Sequence, residues 1–270
     1  MKADLHVHSD FSDGSNTVEE IMELAAERGI THISLTDHDT VSGIEHAQKV
    51  GKHRGITVIP GIEISAYDFK RERKVHILGY AFCKSAHHIQ MLCNPLLQRR
   101  HANSLWQIEQ LQKNGIDIEV QEVMRRAAEG GIIYKQHIMS CLTDDHFTTP
   151  AYQQLYKQLF KGEGICARDI IYVDAIDAVQ AIKKDGGYAV LAHPGQLDSF
   201  DMVEELVQHG LDGIERNHYD HSEQDKSRTE AYAKKFDLFM TGGSDYHGSF
   251  GAPIQLGEFD SPTEAVYSII

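Results

Sequence analysis

Two hundred and seventy residues, 41% hydrophobic and 24% charged, make room for one large domain, or one domain with an insertion, and exclude a disordered or collagen-like chain. No apolar run approaches the roughly 18–20 residues of a membrane span, and Met1-Lys2-Ala3-Asp4 opens no apolar signal stretch, so a cytoplasmic protein without a membrane partner is expected. Forty acidic against 26 basic residues give a formal charge of −14, which argues against broad adhesion to duplex DNA, because that mode needs a cationic surface.

The first eighty residues alternate between strand and helix patterns. Residues 4–8 read as a strand, and Thr17 with Glu20 offers a capping box to a helix over 18–28 that Gly29 ends. A strand over 31–36, a helix over 41–53 closed by Gly55 and a strand over 56–59 follow, then strands at 61–66 and 75–82. From 86 to 185 the rhythm changes. Ile89, Leu92, Leu96 and Leu97, then Leu105, Ile108 and Leu111, keep helical spacing up to Asn114-Gly115. Shorter helices are expected over 120–128, 138–142 and 152–160, with no strand in this stretch. The alternation resumes with strands at 188–192, 211–214 and 238–241, helices at 202–209 and 222–236, and a terminal helix opened by Ser261-Pro262. About seven mostly parallel strands predict an α/β fold closed as a (β/α)7 barrel over 1–85 and 186–270, with 86–185 as a helical insertion. An open doubly wound sheet is the alternative closure.

Cys83, Cys93, Cys141 and Cys166 are widely spaced, so neither a disulfide framework nor a cysteine zinc site is expected. Histidine is the excess: there are 17, and imidazole is the commonest metal ligand. The unusual residues fall at the carboxyl ends of predicted strands, where α/β barrels assemble active sites. They are His6-Val7-His8 with Ser12-Asp13-Gly14, then Asp37-His38-Asp39, Glu63, His76, His193-Pro194-Gly195 and Asp245-Tyr246-His247. Residues i and i+2 of a strand share a face, so His6 and His8 can present two imidazoles to one ion. Asp245 and His247 repeat that spacing, and a carboxylate such as Glu63 can bridge two ions. Taken singly, each cluster has an ordinary reading as core histidine, turn or loop. Their coincidence at one end of successive strands predicts a polynuclear metal site. The remaining histidines His32, His46, His53, His87, His88, His101, His146 and His209 lie on helices, strand starts or polar turns and are expected to face solvent.

Asp4-Leu5-His6-Val7-His8 with Ser12-Asp13-Gly14, Thr36-Asp37-His38-Asp39, Gly61-Ile62-Glu63-Ile64, His76, Ala192-His193-Pro194 and Gly243-Ser244-Asp245-Tyr246-His247 resemble the ordered motifs of the polymerase-and-histidinol-phosphatase (PHP) superfamily. The helical insertion after the His76 strand is similar to that of the stand-alone branch acting on nucleoside 3′,5′-bisphosphates and short RNA 5′ ends. The resemblance implies a distorted seven-stranded barrel holding two to three divalent ions. It implies that His6, His8, Glu63 and Asp245 hold one ion, and that Glu63 bridges to a second held also by His76 and His193. Asp13, His38 and His247 would hold a third. Nitrogen and oxygen ligands suit zinc, manganese or iron. Asp37 and Asp39 are expected to orient His38 and neighbouring imidazoles.

Ions about 3.5–4 Å apart suit phosphoester hydrolysis by a hydroxide bridging the pair that shares Glu63. A metal-dependent phosphoesterase is therefore expected, acting on a phosphomonoester of a nucleotide (3′,5′-bisphosphate type) or of a short RNA 5′ end. Glu63, Asp245 and His218 are the expected catalytic groups, His218 as a candidate acid for the leaving oxygen beside metal-bound water. The resembling branch places Arg-Pro-His in the phosphate pocket, where this chain has Lys135-Gln136-His137, a point charge in place of a planar fork. Arg168 and Arg216 are further expected substrate contacts, Arg216 standing where the branch has an apolar residue. A histidinol-phosphate-type phosphatase would use the same ions on a smaller ester. A C–N hydrolase on a similar barrel usually needs a strand-end lysine, which the sequence lacks. A non-catalytic metal-binding module would be marked by lost ligands, and here every ligand position is filled.

Overall fold

Thr17 starts the first helix as its sequence predicts. The computed structural model describes residues 1–270, the side chain of Ala128 excepted. In it β1 (Ala3–Val7) leads to α1 (Val18–Glu27), where the Thr17 hydroxyl accepts from the Glu20 N–H and the Glu20 carboxylate from the Thr17 N–H. β2 (His32–Leu35), α2 (Ile44–Arg54) and β3 (Thr57–Val58) follow, and Gly55 closes α2 at a φ of 71°. β4 (Gly61–Asp68) and β5 (Arg73–Tyr80) come next, then the helices α3 (His87–Lys113), α4 (Val120–Arg126), α5 (Lys135–Leu142) and α6 (Pro150–Phe160). The chain continues through β6 (Val173–Asp174), α7 (Ala175–Lys184), β7 (Tyr188–Leu191), α8 (Val203–Gln208) and β8 (Gly213–Asn217). It closes with α9 (Glu223–Phe236), β9 (Phe239–Gly242) and α10 (Thr263–Ile269).

The mixed α/β class is as expected, but the strands do not form one continuous ring. β1, β2 and β3 make a parallel sheet, and β6, β4, β5, β7, β8 and β9 make a second in that order. The sheets meet through two single bridges, Val7 with Tyr246 and His38 with Glu63. The strands are mostly parallel, as expected, with five of seven pairings so, and the exception is β5, which runs antiparallel to both β4 and β7. The reason is connection length. Only residues 69–72 join β4 to β5, and a parallel pair needs a crossover of about a dozen residues.

The expected all-helical stretch over 86–185 also needs correction. β6 pairs with β4, and the Asp174 carboxylate caps α7. Ala175, Ala178, Val179 and Ile182 of α7 then bury against Ile62, Ile64, Ile77 and Leu191 in the sheet core. A two-residue strand leaves almost no alternation to read. Helices α4, α5 and α6 share a second core with the end of α3, built on Ile108, Leu111, Val123, Ile138, Met139 and Phe160. The long α3 ties the two together, since its Ile89, Cys93 and Leu96 pack into the sheet core. No helix among the described residues is long and apolar enough to cross a membrane.

Asp4 anchors β1 to the end of the chain. Its wholly buried carboxylate accepts from the Ser244 N–H at 2.9 Å, the Ser244 hydroxyl at 2.6 Å and the Gly257 N–H at 2.7 Å. Burial lifts its pKa to about 6 against the pull of those bonds. An Asp4→Ala substitution strands these buried donors, each at about 1–3 kcal/mol. Urea unfolding should therefore show a loss of roughly 3 kcal/mol or more, and a smaller loss for Asp4→Asn, which keeps an acceptor. An Asp4→Ala protein as stable as the parent contradicts this anchor.

Candidate metal centre

The nine predicted ligands come to one place, but not all from carboxyl strand ends as expected, since Glu63 lies near the start of β4 and His76 within β5. Glu63, on β4, lies at the middle and is 1% exposed. Its Oε2 is 3.3 Å from His6 Nε2, 3.2 Å from His8 Nε2 and 3.2 Å from His38 Nδ1. Its Oε1 is 2.8 Å from His76 Nδ1 and 2.9 Å from His193 Nε2. Each oxygen thus faces its own set of imidazoles. Asp245 Oδ1 completes the first set at 3.3 Å from His6 Nε2 and 3.2 Å from His8 Nε2. Asp13 faces His8, His38 and His247 at 3.6, 3.9 and 3.4 Å. Three groups have ligand atoms within 4.8 Å of one another: His6, His8, Glu63 and Asp245; His8, Asp13, His38 and His247; and His38, Glu63 and His76. His8 and His38 are therefore shared between groups, which the sequence did not foretell.

The backbone is specialised to allow this crowding. Asp39, His193 and Asp245 have φ values of 61°, 24° and 50°, a region that L-residues seldom adopt and that turns strand-end side chains inward. A Cβ on Gly243 would sit 2.4 Å from the His6 nitrogen, so glycine alone lets the loop after β9 close onto β1.

The donor set suits metal ions on two counts. His6 Nδ1 donates to Glu215 Oε1 at 3.0 Å and His247 Nδ1 to the Asp245 carbonyl at 2.9 Å, which leaves each Nε2 lone pair facing the cluster. In addition, His6 Nε2, both nitrogens of His8 and Asp13 Oδ1 are buried without a hydrogen-bond partner, a costly state unless a cation satisfies them. Protons compete for the same position. Burial opposes charge on His6 and His8, yet the surrounding carboxylates raise both, His8 to about 10. Burial likewise opposes charge on Glu63 and Asp245, and the imidazoles hold both well below the usual carboxylate range. Ion uptake must therefore release protons.

The residues around the cluster divide less evenly. Asp37 and Asp39 make their hydrogen bonds away from the His38 ring. Asp37 accepts from the Ser9 N–H, the Ser9 hydroxyl and the Ser12 hydroxyl, bracing the loop that carries Asp13. Asp39 accepts from the Ser65 N–H and from Arg100 Nη2, both at 2.7 Å. The His6 imidazole is oriented instead by Glu215, which sequence reasoning passed over and which also holds the backbone at His193. Glu215 is fully buried and takes the His193 N–H at 2.8 Å as well as His6. Strand alternation was the available signal, because Glu215 and Arg216 must leave opposite faces of β8. Arg216 accordingly points outward to Glu230 at 2.7 Å. Arg168 is exposed, stacked 4.0 Å over Trp106 and bonded to Asn103, off the cavity lining.

His218 Nδ1 accepts from the Asp220 N–H at 3.2 Å, so its proton sits on Nε2 and is donated to Asp245 Oδ2 at 3.3 Å. A cavity of about 290 Å3 opens beside Asp13, His38 and His76, with Arg100, Tyr134 and Lys135 in its wall. Helix α5 reaches the cluster through Gln136, which donates to Asp13 Oδ2 at 2.7 Å, and through the Tyr134 hydroxyl just before it, which donates to the His38 carbonyl at 2.8 Å. His137 is buried, its Nδ1 accepting from the Tyr134 N–H, and burial lowers its pKa to about 4. Of the histidines expected at the surface, His46, His53, His87, His88 and His146 are exposed, and His32, His101 and His209 are half-buried.

The PHP domain profile matches residues 4–266. This chain belongs to the PHP domain family. A phosphoribosyl 1,2-cyclic phosphate 1,2-diphosphodiesterase of Eggerthella lenta is 49% identical over 257 residues, covering 95% of this chain and 98% of that protein. A 3′,5′-nucleoside bisphosphate phosphatase of Chromobacterium violaceum is 29% identical over 90% of this chain and 86% of its own length. The crystal structure of a Bifidobacterium adolescentis protein, described as a metal-dependent phosphoesterase, superposes with a TM-score of 0.88 at 27% identity, over 99% of this chain and 94% of the other. The reaction class expected from the sequence is borne out: this PHP chain is a hydrolase of phosphoester bonds.

His8→Ala and Asp245→Ala should each remove at least one bound divalent ion per chain and nearly all turnover. Elemental analysis beside far-ultraviolet circular dichroism checks this, with helix content expected to persist. Full metal content in both variants contradicts the grouping around Glu63.

Proposed function

We propose that this PHP enzyme hydrolyses a phosphate ester on a compact phosphorylated ribose, a 1,2-cyclic phosphate first, at a centre of two to three divalent ions. The observation that carries the reading is the division of Glu63, one oxygen toward His6 and His8 and the other toward His76 and His193. His6, His8, Glu63 and Asp245 hold one ion in this reading, Glu63, His76 and His193 a second, and Asp13, His38 and His247 a third, of zinc, manganese or iron. We further read β1, β2, β4, β5, β7, β8 and β9 as a distorted (β/α)7 ring drawn together at the two bridges, with α3 to α6 as the cap over the substrate.

Bound divalent ions supply a water acidified to near neutrality and charge to neutralise phosphoryl oxygens. The chain's own residues orient the parts. Glu215 fixes the His6 and His193 positions, and His218 holds Asp245 through its Nε2 proton. His218 can reach a leaving oxygen only with that same proton, so we assign it first to positioning Asp245. Lys135, whose ammonium reaches the cavity from the start of α5, attracts substrate phosphate as a point charge.

Substrate size supports ribose. A volume of about 290 Å3 stands at the lower edge of small-molecule sites, about 300–1,000 Å3. The full-length likeness to the E. lenta enzyme supports the cyclic ester. A nucleoside 3′,5′-bisphosphate is the second reading, favoured by Tyr152, Tyr156 and Tyr172 in the wall, whose rings could stack a base. A hydrolysis panel with metal restored, followed by phosphorus-31 NMR so that ring opening of a cyclic diester is seen as well as phosphate release, decides between them. Phosphoribosyl 1,2-cyclic phosphate should give the highest kcat/KM, and exclusive turnover of adenosine 3′,5′-bisphosphate or of histidinol phosphate defeats the cyclic-ester reading.

Lys135 sets a pH dependence. Burial lowers its pKa to about 8, with Lys74 adding to the effect and Asp169 opposing it. The ammonium is charged below about pH 8 and lost above it, so KM for a phosphorylated substrate should climb as pH rises through 8. Lys135→Arg should keep KM low to higher pH, and Lys135→Ala should raise KM more than it lowers kcat. A wild-type KM that stays flat from pH 7 to pH 9 removes Lys135 from phosphate binding.

A further inference from the structure

One wall of the cavity holds an anion site already filled by the protein's own carboxylate. Asp169, in the irregular segment between α6 and β6, accepts from Lys74 Nζ at 2.8 Å through Oδ2. Its Oδ1 accepts from the Tyr172 hydroxyl and the Ile170 N–H, both at 2.9 Å, and lies 3.9 Å from Lys135 Nζ. Lys74 also stands 4.8 Å over the Tyr172 ring. Two partly buried lysines and a phenol thus converge on one carboxylate that is itself 41% exposed. Lys74 precedes His76 on β5 by two residues, so both leave the same face of the strand with their Cα atoms about 7 Å apart. Neither Lys74 nor Asp169 takes part in the ion cluster.

We propose that Lys74, together with Lys135 and the Tyr172 hydroxyl, binds a second phosphate of the substrate, and that Asp169 is an internal anion displaced from these donors when that phosphate arrives. The proposal rests on the phosphoribose reading. A phosphate monoester offers about 1.5–2 negative charges and three acceptor oxygens, against one charge and two oxygens for the carboxylate. Two ammonium groups therefore favour the exchange, while a neutral or singly charged group gains too little to displace Asp169. The same contact keeps the lysines paired in the free enzyme, and it disfavours substrates with a single phosphate.

Steady-state kinetics of the metal-loaded enzyme test this with phosphoribosyl 1,2-cyclic phosphate and with ribose 1,2-cyclic phosphate, which lacks the second phosphate. The wild-type KM should be at least about tenfold lower for the former, the scale of one charge-assisted hydrogen bond. Lys74→Met, which keeps the apolar stem, should collapse that KM ratio with kcat for the phosphoribosyl compound little altered, and Lys74→Arg should restore most of it. Asp169→Asn should lower KM for the phosphoribosyl compound. A wild-type ratio near one, a ratio that survives Lys74→Met in a protein of native circular dichroism, or an Asp169→Asn variant with unchanged or raised KM overturns the proposal. If neither cyclic compound is turned over, adenosine 3′,5′-bisphosphate compared with whichever adenosine monophosphate, 3′ or 5′, keeps the ester that is cleaved separates the two ideas. A Lys74-dependent ratio there keeps the second-phosphate site and sinks the cyclic-ester reading, whereas a ratio near one sinks the site.

Discussion

Glu63 is buried with five imidazoles within 3.3 Å of its two oxygens, and a carboxylate so placed persists only while its charge is balanced. Protons on the histidines can supply that balance, and so can divalent ions, which compete with protons for the same inward-facing lone pairs. The same residue also joins the sheets. His38 and Glu63 form one of the two bridges between them, and the Asp39 N–H donates to the Glu63 carbonyl at 2.9 Å. The geometry of the site and the junction of the fold are therefore one constraint, and a backbone shift at either would be felt at both.

The helical segment contributes more than cover. Arg100 from α3 pairs with Asp39 at 2.7 Å and donates to the Ser65 hydroxyl at 2.9 Å, while its guanidinium lies 4.8 Å over the Tyr134 ring. Gln136 holds Asp13, and the Tyr134 hydroxyl holds the backbone at His38. The third ligand group is thus positioned from two sides, by its own strands and by helices that also wall the cavity. This gives the substrate-facing element a direct physical hold on the ion-facing one, and it is the reason the two cannot vary independently.

Much of this was legible in the sequence. The i,i+2 pair His6/His8 meets one ligand group as strand alternation demands, whereas Asp245 and His247 lie in the loop beyond β9 and enter different groups. The capping signals at Thr17 and Gly55 mark real helix ends. What failed was long-range. The antiparallel course of β5 depends on a four-residue connection whose consequence appears only when β7 pairs on its other side. β6 is two residues long, and α7 was lost with it. Arg216 and Arg168 were read by charge alone, without the strand face or the aromatic partner that directs each outward. Arg100, Lys74 and Glu215 carry no local motif, and only their neighbours in space give them roles.

Anomalous diffraction from crystals grown with manganese tests the centre most directly. The account predicts two peaks about 3.5–4 Å apart flanking Glu63, one nearest Oε2 with His6, His8 and Asp245, the other nearest Oε1 with His76 and His193. A single peak at that carboxylate, or none while manganese is bound elsewhere on the protein, would contradict it.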